Sequence, residues 1–117
     1  MLKTNLKHIT KEQELQTTLQ QNKNVMVCCG RMGPMCIPVY GVMEKLEPGY
    51  THVAFRDMDF DEPVSHSIRN LPECRGFQGL PFTVYFKNGK VVKATTSVQS
   101  VESVTAILDE EFGGGPA

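Results

Sequence analysis

A chain of 117 residues, 40% hydrophobic and 21% charged, has the length of one domain and the composition of an ordinary globular protein, which excludes a disordered or fibrous chain. Twelve basic residues against thirteen acidic ones leave a formal charge of −1 with no block of one sign, so neither a nucleic-acid nor a membrane partner is expected. No apolar run approaches the roughly 18 residues that span a bilayer. The opening stretch carries Lys3, Lys7, Lys11, Glu12 and Glu14 and no apolar block, so no signal peptide is expected. The expectation is a cytoplasmic monomer.

In chain order, residues 6–9 alternate weakly and read as a short strand. Thr10 with Gln13 three residues on reads as a capping box, with Leu15 and Leu19 one turn apart, so a helix is expected over about 11–22. Asn24 to Cys29 is a nearly continuous apolar run, as in a strand buried on both faces. Gly30 to Gly33 is a loop, and Pro34 suits a first helical position. Val39, Val42, Met43 and Leu46 have helical spacing, and Pro48-Gly49 ends that helix. Val53 to Met58 reads as a second buried strand, followed by a turn and a short helix to about Asn70 with Val64 and Ile68 inward. Residues 71–80 are irregular. Phe82 to Phe86 and Val91 to Ala94 are strands joined through Asn88-Gly89, a strong hairpin signal because both residues tolerate positive φ. Ser100 caps a last helix to about Phe112, with Val101, Val104, Ile107 and Leu108 inward. The order β-α-β-α-β-α-β-β-α predicts a three-layer α/β fold: a mixed sheet with helices on both faces and the runs at 24–29 and 53–58 at its centre. It forms one domain over 1–112, followed by a flexible Gly-rich tail at 113–117.

Four cysteines are too few for a disulfide scaffold. Cys28, Cys29 and Cys36 fall within nine residues while Cys74 stands apart, and such clustering inside a cell points to reactive or metal-binding thiols. A thiol at a helix start meets unpaired N–H groups and the positive end of the helix dipole, which favour the thiolate. Cys36, two residues after Pro34, is placed there and expected to be exposed, and Arg31 can add positive charge. Cys29 ends the strand feeding the same loop, so a Cys29–Cys36 disulfide is open to it if the Cα atoms come within about 7 Å. Cys28 points to the opposite face by strand alternation and reads as a core residue. Cys74 reads as an exposed bystander, and Asp57, Asp59, Asp61 and Glu62 as structural residues of a turn and a cap.

The segment Gly76-Phe77-Gln78-Gly79-Leu80-Pro81-Phe82-Thr83-Val84-Tyr85-Phe86-Lys87-Asn88-Gly89-Lys90, with this element order and Asp57-Met58-Asp59 ahead of Pro63, closely resembles the thioredoxin family over roughly residues 6–112. The resemblance implies that Pro81 is a cis proline beside a redox site and that Leu80 offers its backbone to an extended substrate. The redox segment itself departs from the pattern. Where the family has Cys-x-x-Cys, usually in Trp-Cys-Gly-Pro-Cys, this chain reads Cys28-Cys29-Gly30-Arg31-Met32-Gly33-Pro34-Met35-Cys36, and it contains no Trp. Matching Gly33-Pro34 puts Met32 and Met35 at the cysteine positions; matching Cys36 to the second cysteine puts Gly33 at the first. Aligning Val25-Met26-Val27 with the family's central strand puts Cys28 where the family has a buried carboxylate, which is then missing.

The reading that follows is a variant thiol–disulfide oxidoreductase acting on protein disulfides. Cys36 attacks, Cys29 resolves, and Leu80, Pro81, Phe77, Met32 and Met35 receive the substrate. Electrons come from a reductase or a small thiol, with no bound cofactor. Two alternatives stand beside it. One is a redox-inactive binding module in which Met32, Met35, Phe77 and Leu80 make an adaptable apolar patch around Pro81. The other is a Cu(I) site built from Cys28, Cys29, Met32, Met35 and Cys36, since soft sulfur ligands favour that ion.

Overall fold

A computed structural model describes residues 2–113. Apart from Gly113, the tail expected at 113–117 lies outside the described residues. The strands are β1 (Lys7–Ile9), β2 (Asn24–Gly30), β3 (Ala54–Asp59), β4 (Phe82–Lys87) and β5 (Lys90–Thr96), and the helices are α1 (Glu12–Gln21), α2 (Ile37–Leu46), α3 (His66–Arg69) and α4 (Val101–Phe112). Short 3-10 turns at Glu47–Gly49, Pro63–Ser65 and Pro72–Cys74 fill the connections.

Local chemistry explains most boundaries. Asn88 and Gly89 both take positive φ, 54° and 79°, the backbone of a tight turn that matches strand twist. The Ser100 side chain accepts the Ser103 N–H at 3.1 Å and so caps α4. Two termini differ from expectation. Lys11, not Thr10, is the capping position of α1. Glu14, not Gln13, reaches back, accepting the N–H and hydroxyl of Thr10 at 2.8 and 2.7 Å and the Lys11 N–H at 3.0 Å. Helix α2 begins at Ile37 with Pro38 in its first turn. Pro34 instead belongs to a single preceding turn closed by Cys36 N–H and Ile37 N–H to the Gly33 carbonyl.

The sheet order is β1-β3-β2-β4-β5. Strands β1, β3 and β2 run parallel, and β4 and β5 add antiparallel pairs. All seven residues of β2 are buried, as its near-continuous apolar run requires. The sheet divides the core in two. On one face, Met26, Phe55 and Tyr85 meet Val39, Tyr40 and Met43 of α2 and Val104, Leu108 and Phe112 of α4. On the other, Val25, Val27, Met58 and Val84 pack with Leu15 of α1, Val64 and Ile68. Because successive strand residues face opposite ways, this division decides which cysteine can meet which.

Candidate thiol site at the start of helix α2

Cys36 lies in the turn that leads into α2, and its sulfur falls onto the end of β2. A Cβ built on Gly30 would stand 2.8 Å from Cys36 Sγ, 2.8 Å from the Tyr40 hydroxyl and 3.0 Å from Pro81 Cβ. Glycine is therefore what admits this arrangement: the missing side chain is the space the sulfur, the phenol and the proline converge on. The Arg31 N–H points at Cys36 Sγ with the donor nitrogen 3.4 Å away. Cys36 is only 2% exposed, so the expected exposure is corrected: the vacancy above Gly30 draws the sulfur inward.

The Arg31 guanidinium is hydrogen-bonded elsewhere than to the sulfur. It forms a two-point pair with Asp61, at 2.8 Å from Nε and 2.8 Å from Nη2, and lies 5.2 Å from the Phe60 ring centroid. The bidentate pairing raises Arg31 and holds Asp61 below the usual carboxylate range. The Arg31 N–H contacts Cys36, while the guanidinium interacts with that sulfur only through space, as a nearby charge.

Strand alternation sorts the other cysteines. Cys28 shares the α2 face with Cys36, Tyr40 and Met43, whereas Cys29 belongs to the opposite core with Cys74, Val27 and Met58. The structure thus does not bring Cys29 to Cys36: the sheet lies between them, and the expected Cys29–Cys36 pairing is corrected on that ground. Burial pushes the Cys29 thiol up to about 12 and the Cys74 thiol to about 11. Cys74, expected at the surface, is 3% exposed. Cys28 is fully enclosed and pushed well above an ordinary thiol by burial, with a weak Thr83 hydroxyl contact at 3.8 Å working the other way.

Around Cys28 the sheet carries a polar row that sequence reasoning missed. His8 of β1 pairs in register with Asp57 of β3, Asp57 with Cys28 of β2, and Cys28 with Thr83 of β4. Residues in register on neighbouring strands share a face about 4.8 Å apart. Asp57 is 0% exposed and accepts from Thr4 Oγ1 at 2.5 Å, with His8 Nδ1 also at 2.5 Å. Burial raises its carboxyl, against the lowering effect of those two contacts. A buried carboxylate thus stands one strand over from Cys28. Tyr40, four residues after Cys36 and hence on the same helical face, is 2% exposed, and its hydroxyl has no hydrogen-bond partner among the described residues. Burial pushes that phenol far up, and charge on Cys28 or Cys36 pushes it further.

The Leu80–Pro81 peptide bond is cis. The loop is tied to the end of β5 by the Ser97 N–H donating to the Pro81 carbonyl at 3.1 Å and by the Thr96 hydroxyl donating to the Gly79 carbonyl. Among the described residues no hydrogen bond engages the Leu80 N–H or carbonyl. Met32 and Met35 are exposed, as are two residues not anticipated, Ile37 and Val98. Phe77 is half-buried and packs edge-on against Phe82, with centroids 5.4 Å apart. The soft-metal set is split, since Cys29 lies beneath the sheet while Met32 and Met35 face outward. Among the described residues no three His, Cys, Asp or Glu side chains group to hold a metal ion. No described helix is long and apolar enough to cross a membrane.

No family model matches the chain, and no curated protein matches it. Solved structures do. Thioredoxin f2 of Chlamydomonas reinhardtii superposes with a TM-score of 0.77 at 16% identity, covering 97% of this chain and 100% of that one. The oxidised thioredoxin of Plasmodium falciparum gives 0.74 at 19% identity, over 91% and 97%. Mitochondrial thioredoxin 3 of Saccharomyces cerevisiae gives 0.71 at 24% identity, over 89% and 94%. At these identities the likeness shows the fold: the chain is an α/β domain of thioredoxin fold.

Proposed function

We propose that this chain exchanges thiols with protein disulfides, with Cys36 as the attacking sulfur and the Leu80–Pro81 loop, flanked by Met32, Met35 and Phe77, as the docking surface. One observation carries the reading: the Cys36 sulfur and the Pro81 ring converge on the open space over Gly30, and a backbone N–H is aimed at that sulfur. A donor N–H in that position can remain with the sulfur as exchange proceeds. The unengaged Leu80 N–H and carbonyl are what an extended chain needs to add a short run of main-chain hydrogen bonds.

In the reaction the Cys36 thiolate attacks one sulfur of the substrate disulfide. The substrate S–S bond breaks, a mixed disulfide with Cys36 forms, and the departing substrate thiolate takes up a proton. A second thiol then releases the substrate, and two electrons from a reductase or a small thiol restore the starting state. Such a cycle belongs in a reducing compartment such as the cytoplasm. Because Cys36 is nearly enclosed, attack requires the turn at 31–36 to lift from the sulfur.

The test is reduction of a protein disulfide by the purified chain and by its four single Cys→Ser variants. Cys36→Ser is expected to be inactive; full activity in that variant removes the reading. The enclosure of Cys36 beside the exposed Met32, Met35 and Ile37 favours a second reading, a module that binds an extended apolar segment without chemistry. Partner capture that survives replacement of all four cysteines supports that alternative.

A further inference from the structure

We infer that Cys28, not Cys29, is the second sulfur of this site: it closes a disulfide with Cys36 across Gly30 while the Asp57 carboxylate takes its proton. This rests on the proposed exchange at Cys36. Four observations support it. First, Cys28 and Cys36 occupy one core cluster, and Cys29 and Cys74 occupy the other. Second, the Cys36 sulfur already lies over the same face of β2 that Cys28 occupies two residues back, a step of about 6.6 Å along a strand. No side chain at Gly30 stands between them; the Tyr40 hydroxyl and Pro81 border the same space, and a shift of the turn before α2 closes the remaining gap between the two sulfurs. Third, a charge on Cys36 bears on Cys28 more strongly than one on its own neighbour Cys29.

The fourth observation concerns the proton. A thiol as deeply enclosed as Cys28 stays protonated and inert unless a base stands beside it. Asp57 is that base by register, on the same face of the adjoining strand. Its contact with His8, whose side chain is 27% exposed, carries the row from the enclosed thiol to the protein edge. A cavity of about 30 Å³, lined by Leu2, His8, Thr10, Asp57, Asp59 and Glu62, is large enough for a water at that end.

The step balances. Cys28 gives its proton to Asp57, and its sulfur attacks Cys36 Sγ of the mixed disulfide. The Cys36–substrate S–S bond breaks, the Cys28–Cys36 bond forms, and the substrate leaves as a thiolate that is protonated by solvent. Two electrons and two protons from a dithiol reductant reopen the Cys28–Cys36 bond.

The mutation-free test is mild oxidation of the wild-type protein followed by protease digestion and mass mapping under non-reducing conditions. A Cys28-containing peptide joined to a Cys36-containing peptide, split by reductant, is the expected product; because Cys28 and Cys29 are adjacent, tandem fragmentation or the single variants assign the bond. Linkage through Cys29 or Cys74 overturns the inference, as does the recovery of four free thiols. In single turnover with a protein disulfide, Cys28→Ala is expected to accumulate the mixed disulfide at Cys36, while Cys74→Ser turns over as wild type. Asp57→Asn is expected to form the mixed disulfide at the wild-type rate but release it about a hundredfold more slowly, the scale of a lost general base. A purely structural role for Asp57 would not separate the two steps. If Cys36→Ser still reduces the substrate, the proposed exchange itself fails. If Cys36 captures substrate but Cys28→Ala releases it normally, only the assignment of Cys28 fails.

Discussion

Gly30→Ala tests the geometry on which the site depends. Gly30 lies in regular strand, so alanine is conformationally acceptable there, and reducing the freedom of the unfolded chain would by itself stabilise by about 0.4–1 kcal/mol. The space is the obstacle. The new methyl would sit 2.8 Å from Cys36 Sγ, 2.8 Å from the Tyr40 oxygen and 3.0 Å from Pro81 Cβ. The sulfur can swing away, but the phenol ends a rigid ring packed between helix and sheet, and the proline carbon is fixed by its own ring. Overpacking of this kind costs about 1–3 kcal/mol. Set against the gain, the net loss is about 1–2 kcal/mol, or about 4–8 °C in Tm for a domain of this size.

The same methyl would push the Cys36 sulfur out of the space it shares with Pro81 over Gly30. A displacement of about 1 Å at a reacting centre is worth roughly a hundredfold in rate, so exchange with a protein disulfide should fall by that order at a temperature where both proteins are folded. Urea unfolding gives the first quantity and single-turnover capture the second. Gly41→Ala is the matched control. Gly41 lies within α2 with open space around its Cα, so alanine there should stabilise by about 0.5–1 kcal/mol and leave capture unchanged. Wild-type Tm and capture in Gly30→Ala would refute the arrangement of sulfur, phenol and proline over one glycine.

Tyr40→Phe removes a buried hydroxyl that has no hydrogen-bond partner among the described residues while keeping the ring, so Tm should hold or rise. If the hydroxyl assists charged sulfur, alkylation of Cys36 should slow in the same variant, and stopped-flow thiol labelling measures it. Ser100→Ala removes the side-chain acceptor for the Ser103 N–H and should cost about 1 kcal/mol in urea unfolding, with no effect on capture. Two carboxylates should give opposite pH signatures in unfolding free energy. Asp57 is raised in the folded state by burial. The folded protein therefore holds a proton that the unfolded chain has released, and stability falls as pH rises from the ordinary carboxylate value to the folded one. Asp57→Asn should remove that fall. Glu14 is lowered by its bonds from Thr10, so its contribution is present above its ordinary value and lost as pH drops through the folded one. Glu14→Gln should lose stability near neutrality and flatten the acid limb.

The elements were legible because each carries its own signal: period-two or unbroken apolar runs for strands, Asn-Gly for the hairpin, and Ser100 for the last helix. Helix starts were less legible where several residues compete, as at Thr10 and Lys11, and at Pro34 and Pro38. Either proline can open a helix, and the local sequence does not say which turn continues. The separation of Cys28 from Cys29 was also legible, because alternation requires it. What the sequence left open was the side of the sheet that α2 covers. The run from Val25 to Cys29 is apolar on both faces, so no polar residue marks an outer side and the absolute orientation of the strand is undetermined locally. It is fixed by Met26 and Phe55 meeting α2 and α4 while Val27 and Met58 meet α1 and α3. The place of Cys36 along the chain was therefore legible, and the side of the sheet it faces was not.

Asp57 was illegible for a related reason. In sequence it opens an acidic cluster, and Asp59 does form a turn, accepting the Asp61 N–H at 2.9 Å. Only the register of β3 against β2 and β1 places Asp57 between Cys28 and His8. An enclosed carboxylate is destabilising unless its hydrogen bonds are met. Thr4 and His8 meet them here, both from the first nine residues of the chain. The N-terminal segment is thus more than an edge strand: it supplies the polar contacts that make a carboxylate tolerable beside an enclosed thiol. His8→Ala should leave Asp57 one contact short and raise its carboxyl further. In the exchange cycle that predicts slower release of substrate with unchanged capture, the same split expected for Asp57→Asn. Equal slowing of capture and release in His8→Ala would instead mean that the edge strand only holds the sheet together.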